Sequence, residues 1–295
     1  MSKWNTVAIL GVGLIGGSIG LALRRRGLVD EVVGIGRRAA SLRVAREVGA
    51  ATRTTTSIRR GVAEAELIVV CTPVELIPQQ VREVAEHCPA GALVTDAGST
   101  KAQIVSALDR GLPRNVRFLG SHPLAGSEKT GPGEAREDLL CGRLVVLTPT
   151  SHSRREDIER LTEFWSDLGA RVELLSPAEH DRRVAASSHL PHLVASALAA
   201  SIPDNCWPLA AGGLLDTTRV AGGDPELWRQ ILTDNRRQVL AALRPLQQNL
   251  TQLRKALQSG DDETLLEILA LGQQNRRRAD APSPRAEISN GSQNR

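Results

Sequence analysis

The sequence predicts an α/β domain with a mostly parallel sheet, followed by an all-helical domain. Through about residue 174, short runs rich in Val, Ile and Leu alternate with helical stretches, the pattern of repeated strand–helix–strand units. Beyond about residue 175, long helical patterns replace the strands. We therefore expect domains over residues 1–174 and 175–279, and a disordered polar tail over residues 280–295.

Six apolar runs are the predicted strands of the first domain. Their hydrophobicity is continuous rather than alternating, which is typical of parallel strands buried on both faces of a sheet. Stretches such as 17–26 and 39–48 supply the connecting helices. The predicted strands are Thr6–Leu10, Glu31–Ile35, Leu67–Thr72, Leu93–Asp96, Val116–Leu119 and Leu144–Thr148.

Two capping sequences predict where helices of the second domain begin. Residues 176–179, Ser-Pro-Ala-Glu, have the form of a capping box and predict a helix to about residue 201 that bends at Pro191. Residues 224–226, Asp-Pro-Glu, open a longer helical pattern, which Pro245 should kink or interrupt. A last helix is expected over about Asp262–Gln274.

Aliphatic residues recur at spacings of four and three along the longest helical pattern and form one apolar seam. A contact between helices of one chain and a dimer interface both fit such a seam. Aromatic residues make up 2% of the chain, so a small helical domain gains hydrophobic core by pairing, and we expect a homodimer. The seam residues are Val239, Leu243, Leu246, Leu250, Leu253 and Leu257.

The composition argues against nucleic-acid and membrane partners. Aromatic residues are scarce, at 2% of the chain with no tyrosine, which argues against a protein that stacks bases on aromatic side chains. The net charge of +4 is concentrated in the tail from Arg276, so the body carries no basic binding stripe. The most apolar helical stretch, 184–203, contains serines, histidines and a central proline, which favours a buried helix over a membrane span.

The cysteines predict a reducing environment. Cys71, Cys88, Cys141 and Cys206 are far apart and form no Cys-x-x-Cys pair, so we expect free thiols and no metal site. The N-terminus runs almost directly into a strand, without a signal peptide. We therefore expect a cytoplasmic protein.

A glycine-rich motif, Gly-Val-Gly-Leu-Ile-Gly, follows the first predicted strand and opens a helix. In that context the motif binds a dinucleotide and indicates a Rossmann-like domain. Gly11 permits the tight turn, Gly13 lets the backbone approach a pyrophosphate, and Gly16 allows close packing of helix on strand. Leu14 and Ile15 begin the helix whose N-terminus favours the anion. The alternative is a purely structural glycine turn.

The second strand ends in Gly-Ile-Gly-Arg-Arg, without the acidic residue that usually binds the ribose hydroxyls. Guanidinium groups pair well with phosphate, so Arg37 and Arg38 favour a 2′-phosphate, and hence NADP over NAD. The alternative is that both are exposed charges at a helix start. Thr72 and Pro73, at the end of the strand that begins at Leu67, are expected against the nucleoside portion of the cofactor.

His122 is the candidate base. It stands in the run Gly-Ser-His-Pro-Leu-Ala-Gly-Ser-Glu, which we interpret as a tight turn directly after the strand Val116–Leu119. Because histidine titrates near neutral pH, one fixed beside a bound cofactor is suited to take a proton. The alternative is a turn residue whose ring is satisfied by backbone groups.

Five short motifs occur in order along nearly the whole chain. They are residues 11–18 (Gly-Val-Gly-Leu-Ile-Gly-Gly-Ser), 95–101 (Thr-Asp-Ala-Gly-Ser-Thr-Lys), 120–128 (quoted above), 188–192 (Ser-His-Leu-Pro-His) and 216–219 (Asp-Thr-Thr-Arg). Only the first is widespread among dehydrogenases. With these motifs the chain resembles the prephenate/arogenate dehydrogenase family of tyrosine biosynthesis.

The resemblance implies an oxidative decarboxylation of arogenate or prephenate, a choice that the sequence leaves open. A hydride leaves the ring carbon that bears the hydroxyl, and the ring carboxylate departs as CO2. By resemblance, His122 accepts the hydroxyl proton, Ser99 hydrogen-bonds both that histidine and the hydroxyl, and Arg219 binds a substrate carboxylate. Ser188 and His192 are implied nearby. Alone, Ser99 could equally be a helix N-cap and Arg219 a surface charge.

Two other functions stay open at this point. A β-hydroxyacid dehydrogenase or imine reductase would share the architecture, but such enzymes generally use a lysine in the helical domain, and residues 184–220 contain none. A non-catalytic NADP-binding regulator is disfavoured by the joint presence of Ser99, His122 and Arg219. Leu215 stands where some relatives have a lysine, and no regulatory or chorismate mutase domain is evident, so a monofunctional enzyme is expected.

Overall fold

The structure is a computed structural model that describes residues 4–126 and 129–280. The chain divides into two compact units between Val239 and Leu240. The first unit contains two sheets with their helices, and the second is helical.

A six-stranded parallel sheet forms the centre of the first unit, in the order β3-β2-β1-β4-β5-β6. The strand order reverses between β1 and β4, and in such sheets the crevice at the carboxyl ends of the strands binds ligands. The strands are β1 (Trp4–Leu10), β2 (Val29–Ile35), β3 (Arg53–Thr55), β4 (Leu67–Val70), β5 (Leu93–Asp96) and β6 (Arg117–Phe118).

Both faces of this sheet are buried, as the continuous apolar runs predict. Along β1, Val7 and Ile9 join one hydrophobic cluster, while Ala8 and Leu10 join the other. The helices that connect the strands are α1 (Leu14–Arg25), α2 (Ala39–Glu47), α3 (Ile58–Val62), α4 (Ile77–His87) and α5 (Ala102–Leu108).

A second, three-stranded sheet has the order β7-β8-β9 and corrects two predictions. Its strands are β7 (Gly120–Pro123), β8 (Leu144–Thr148) and β9 (Arg171–Leu174), with α6 (Arg155–Asp167) between the last two. His122 lies in strand β7, opposite Val146 of the antiparallel β8, so its assignment to a tight turn is wrong. The run Leu144–Thr148 is a strand, but it belongs to this sheet rather than to the parallel one.

The helices after residue 175 begin where their caps predict. The Ser176 hydroxyl accepts a hydrogen bond from the Glu179 amide, and the Asp224 carboxylate accepts one from the Glu226 amide. The elements are α7 (Pro177–Val184), a π-helical segment (Ala185–His189), α8 (Leu190–Ser201), α9 (Gly212–Thr218) and α10 (Pro225–Asp234). The predicted distortion near Pro191 thus takes the form of the π-helical segment.

The last two helices along the chain are α11 (Arg236–Ser259) and α12 (Asp262–Asp280). Pro245 stands inside α11, which continues to Ser259, so of the two predicted outcomes, a kink or an interruption, the interruption is wrong. The expected tail over residues 280–295 lies outside the described residues except for Asp280, which ends α12. Across the described residues, none of the helices has the length and apolar character needed to cross a membrane.

Candidate active site

The glycine-rich turn shapes a cleft of about 280 Å³ at the carboxyl ends of β1, β2 and β4. Gly11 has a φ of +99°, and a Cβ there would lie 2.6 Å from the carbonyl oxygen of Cys71. A Cβ on Gly16 would lie 2.2 Å from the carbonyl oxygen of Gly11, so helix and strand meet as closely as the motif predicts. A Cβ on Gly13 would have no atom within 4 Å, so this glycine faces open space.

The same cleft is lined by four more of the predicted cofactor residues. Arg37, Arg38, Thr72 and Pro73 line it together with Gly11 and Gly13. Leu14 and Ile15 begin α1 behind the turn and are not part of the lining. Thr72 donates a hydrogen bond to the Gln80 side chain, 2.5 Å away.

These features fit a bound dinucleotide. Gly13 caps α1 without a side chain, which leaves amide groups at the helix N-terminus free for a pyrophosphate. Arg37 and Arg38 are exposed, and neither guanidinium has an ion-pair partner within residues 4–126 and 129–280. Both are therefore available for an anionic ligand.

A second cavity, of about 510 Å³, brings together four of the five residues assigned to chemistry or substrate binding: Ser99, His122, Ser188 and Arg219. Ser99 follows β5, so it stands at the same edge of the parallel sheet as Gly11 and Thr72, which follow β1 and β4. Ser127 and Glu128, at the end of the third motif, lie outside the described residues.

His192, the fifth residue, is not part of the cavity lining. Its ring is stacked on the indole of Trp228, with centroids 3.6 Å apart and planes 9° apart, and Trp228 does line the cavity. Its Nδ1 is buried and has no hydrogen-bond partner in the part of the chain that the structure describes. Burial lowers the pKa of His192, and a hydrogen bond with the Val220 backbone acts in the opposite direction.

His122 forms hydrogen bonds that the sequence did not predict. Its Nδ1 lies 2.8 Å from Nε2 of His180, and Nδ1 of His180 lies 2.8 Å from a carboxylate oxygen of Asp181. Among the hydrogen bonds of the described residues, the expected one between Ser99 and His122 does not occur. Ser99 is not a helix N-cap either, because Lys101 precedes the first residue of α5.

The surroundings of His122 favour its neutral form. Burial holds the pKa of His122 well below its usual range, and nearby His180, Lys101 and His189 lower it further. A neutral imidazole keeps a lone pair and can accept a proton. The first requirement for a base is therefore met at neutral pH.

A buried ion pair fixes the turn that carries Ser99. The Lys101 ammonium and the Asp96 carboxylate are both fully buried and in contact. Asp96 also accepts hydrogen bonds from the backbone amides of Gly98 at 2.8 Å and Ser121 at 3.2 Å. One carboxylate thus joins β5, the turn to α5, and β7 beside His122.

His189, to which the sequence assigned no role, also lines the cavity. The Asn235 amide donates to Nδ1 of His189 at 3.2 Å and to the Asp181 carbonyl at 2.8 Å. Burial lowers the pKa of His189 to about 4. The spacing Ser-His-Leu-Pro-His was the available signal, but it did not show that His189, rather than His192, faces the cavity.

Comparison with known proteins identifies the family. The family model described as the nucleotide-binding domain of prephenate dehydrogenase matches residues 19–174, and the one described as its dimerization domain matches residues 176–271. The chain belongs to the prephenate dehydrogenase family. This membership supports a dehydrogenase of the prephenate/arogenate class and sets aside the β-hydroxyacid dehydrogenase and imine reductase alternatives.

Individual relatives agree with the family models. A prephenate dehydrogenase of Bacillus subtilis is 34% identical over 271 residues, which cover 88% of this chain and 72% of the relative. The crystal structure of prephenate dehydrogenase from Aquifex aeolicus with hydroxyphenyl propionate and NAD+ is similar, with a TM-score of 0.86, 31% identity and coverage of 94% and 99%. Synechocystis arogenate dehydrogenase is similar with a TM-score of 0.77, 31% identity and coverage of 93% and 99%.

Proposed function

We propose that the chain is an NADP-dependent dehydrogenase that oxidises and decarboxylates arogenate or prephenate. The observation that carries this proposal is the shared cavity of His122, Ser99 and Arg219. It joins a neutral histidine, a hydroxyl group and a cation that can hold a carboxylate. A non-catalytic regulator would need none of these three to converge.

Each residue has a role that its chemistry allows. A bound nicotinamide dinucleotide supplies the hydride acceptor. His122 takes the proton of the ring hydroxyl, since an alcohol loses hydride readily only as its proton is removed. Arg219 binds a substrate carboxylate, and Ser99 and Ser188 offer hydrogen bonds to the polar groups of the ring. His192 acts through Trp228, whose ring it supports.

The preference for NADP rests on Arg37 and Arg38. Both line the cleft beside the glycine-rich turn, at the end of β2, where a carboxylate would repel a 2′-phosphate. Two exposed guanidinium groups without ion pairs favour that phosphate instead. The Aquifex relative was crystallised with NAD+, so this preference is an inference from the present chain.

The two predicted domains have different roles in this proposal. We propose that residues 1–174 bind the nucleotide and contribute His122 and Ser99, while residues 175–279 contribute Ser188 and Arg219 and pair two copies into a homodimer. Exposed leucines on α11 and α12 support pairing, because uncovered aliphatic side chains favour association. They are Leu240, Leu250, Leu257, Leu266, Leu269 and Leu271.

A crossed assay tests the proposed function. The purified chain is mixed with arogenate or prephenate and with NADP or NAD, and the near-ultraviolet absorbance of reduced nicotinamide is followed. We expect reduction with at least one substrate and a lower KM for NADP than for NAD. No reduction in any of the four mixtures contradicts the assignment as an enzyme, and a lower KM for NAD contradicts the cofactor preference.

A further inference from the structure

Three buried residues form a hydrogen-bonded chain that leads away from the cavity. His122 on β7 is followed by His180 and Asp181, which are consecutive residues of α7. These residues are 8%, 0% and 3% exposed, so water does not compete for these contacts. The two hydrogen bonds are each 2.8 Å long.

Asp181 is held as a hydrogen-bond acceptor at the inner end of this chain. One of its carboxylate oxygens accepts the backbone amide of Lys101 at 2.8 Å, and the other accepts that of Ala102 at 2.9 Å. These amides begin α5, so Asp181 caps that helix from another element, where a negative charge is stabilised. The Asp181 carboxylate therefore accepts the hydrogen bond that joins it to His180, and the proton in that hydrogen bond is on Nδ1 of His180.

Because Asp181 accepts this hydrogen bond, the protonated nitrogen of each imidazole can be inferred. A neutral imidazole has one N–H and one lone pair, so a proton on Nδ1 of His180 leaves its Nε2 as an acceptor. His122 must then donate from Nδ1, which leaves the lone pair of His122 on Nε2. Within the described residues, that nitrogen has no hydrogen-bond partner, and His122 lines the cavity.

We propose that His180 and Asp181 are positioning residues that fix His122 in the Nδ1–H tautomer and present its Nε2 lone pair to the substrate hydroxyl. In the proton transfer, the O–H bond of the substrate breaks and an Nε2–H bond forms on His122. The resulting imidazolium keeps its hydrogen bond to His180, and the Asp181 charge stabilises it through that ring. Free neutral histidine favours the opposite, Nε2–H tautomer.

The identity of the proton donor rests on the proposed function, but the tautomer does not, so it is measured first. The full chain is labelled with 15N-histidine, and two-bond 1H–15N correlations assign the protonated nitrogen of each ring. The chain has six histidines, and the signal of His122 is the one lost in His122→Asn. We expect Nδ1 of His122 to carry the proton in the wild type. A proton on Nε2 would overturn the proposal, whatever the activity of the enzyme.

Two variants of His180 test the effect on turnover. His180→Leu removes the acceptor, so His122 should shift towards Nε2–H, and kcat should fall about 10- to 100-fold with little change in the KM for substrate. His180→Gln places an amide oxygen near the former Nε2 and should recover part of that loss. A kcat unchanged in His180→Leu would refute the positioning role.

His152 offers a matched control. Its Nδ1 also lies 2.8 Å from an aspartate oxygen, that of Asp109, but the pair is outside the cavity. His152→Leu should therefore leave kcat and the His122 signal unchanged. If His180→Leu fails to fold, the wild-type tautomer still decides the proposal. A wild type inactive on both substrates would contradict the proposed function while the tautomer measurement stands.

Discussion

Acidification should destabilise the first unit through His189. Burial lowers the pKa of this histidine to about 4, whereas the unfolded chain has an ordinary value near 6.5. Between those values the unfolded chain binds a proton that the folded chain does not, so the free energy of unfolding falls as the pH falls. With a folded pKa of about 4, the contribution lost is about 2 kcal/mol at pH ~5, and about 3 kcal/mol once both states are protonated.

Urea unfolding at about pH 7 and about pH 5 measures this loss. All four tryptophans precede Val239, so their fluorescence reports on the first unit. His189→Asn keeps an acceptor opposite the Asn235 amide, since its Oδ1 and the histidine Nδ1 are both bonded to Cγ, but it does not titrate. Other buried histidines contribute equally to the pH dependence of the wild type and of the variant. The difference between the two losses of unfolding free energy is therefore the contribution of His189. Equal losses in the two proteins would refute the reasoning.

Three further predictions concern the cofactor arginines, the glycine-rich turn and the buried ion pair. Replacing Arg37 and Arg38 together by alanine should raise the KM for NADP about 10- to 100-fold while that for NAD changes little; equal increases would contradict a phosphate site. Gly16→Ala should lower both Tm and NADP affinity, because its Cβ would meet the Gly11 carbonyl at 2.2 Å. A Cβ at Gly13 has no atom within 4 Å, so Gly13→Ala should weaken NADP binding and leave Tm unchanged. The same Tm for both variants would be inconsistent with this packing. Lys101→Met leaves the Asp96 carboxylate buried without its cation and should lower the free energy of unfolding, measured in urea, by about 3–5 kcal/mol. An unchanged midpoint would mean that the ion pair adds nothing to stability.

The local signals in the sequence were sufficient for most of the architecture. Continuous apolar runs identified the strands buried on both faces, and the side chains of Ser176 and Asp224 marked helix starts that depend on neighbours two or three residues away. The short strands β3 and β9 were missed: each has only three or four residues and none is fully buried, so neither gives a hydrophobic signal. The π-helical segment before Pro191 was likewise not foreseen as such.

The environment of His122 depends on contacts that are distant along the chain. Gly120–Pro123 lacks β-branched and aromatic residues, and it is a strand because it pairs with Leu144–Thr148. His180 reaches His122 from 58 residues away. It is followed along the chain by two arginines that pair with Glu179 on the exposed side of α7, so the sequence there resembles an ordinary solvated helix. The motif therefore pointed to the proposed base but gave no signal for the residues that we propose orient it.

The turnover of His122→Asn tests the central claim most directly. Asparagine keeps an amide that can donate to Nε2 of His180, but it has no nitrogen lone pair to take a proton from substrate. We predict that kcat falls about 10²-fold or more, while the NADP dissociation constant, measured by calorimetry, stays unchanged. A kcat close to that of the wild type would show that His122 is not the base, and the account of this site would be wrong.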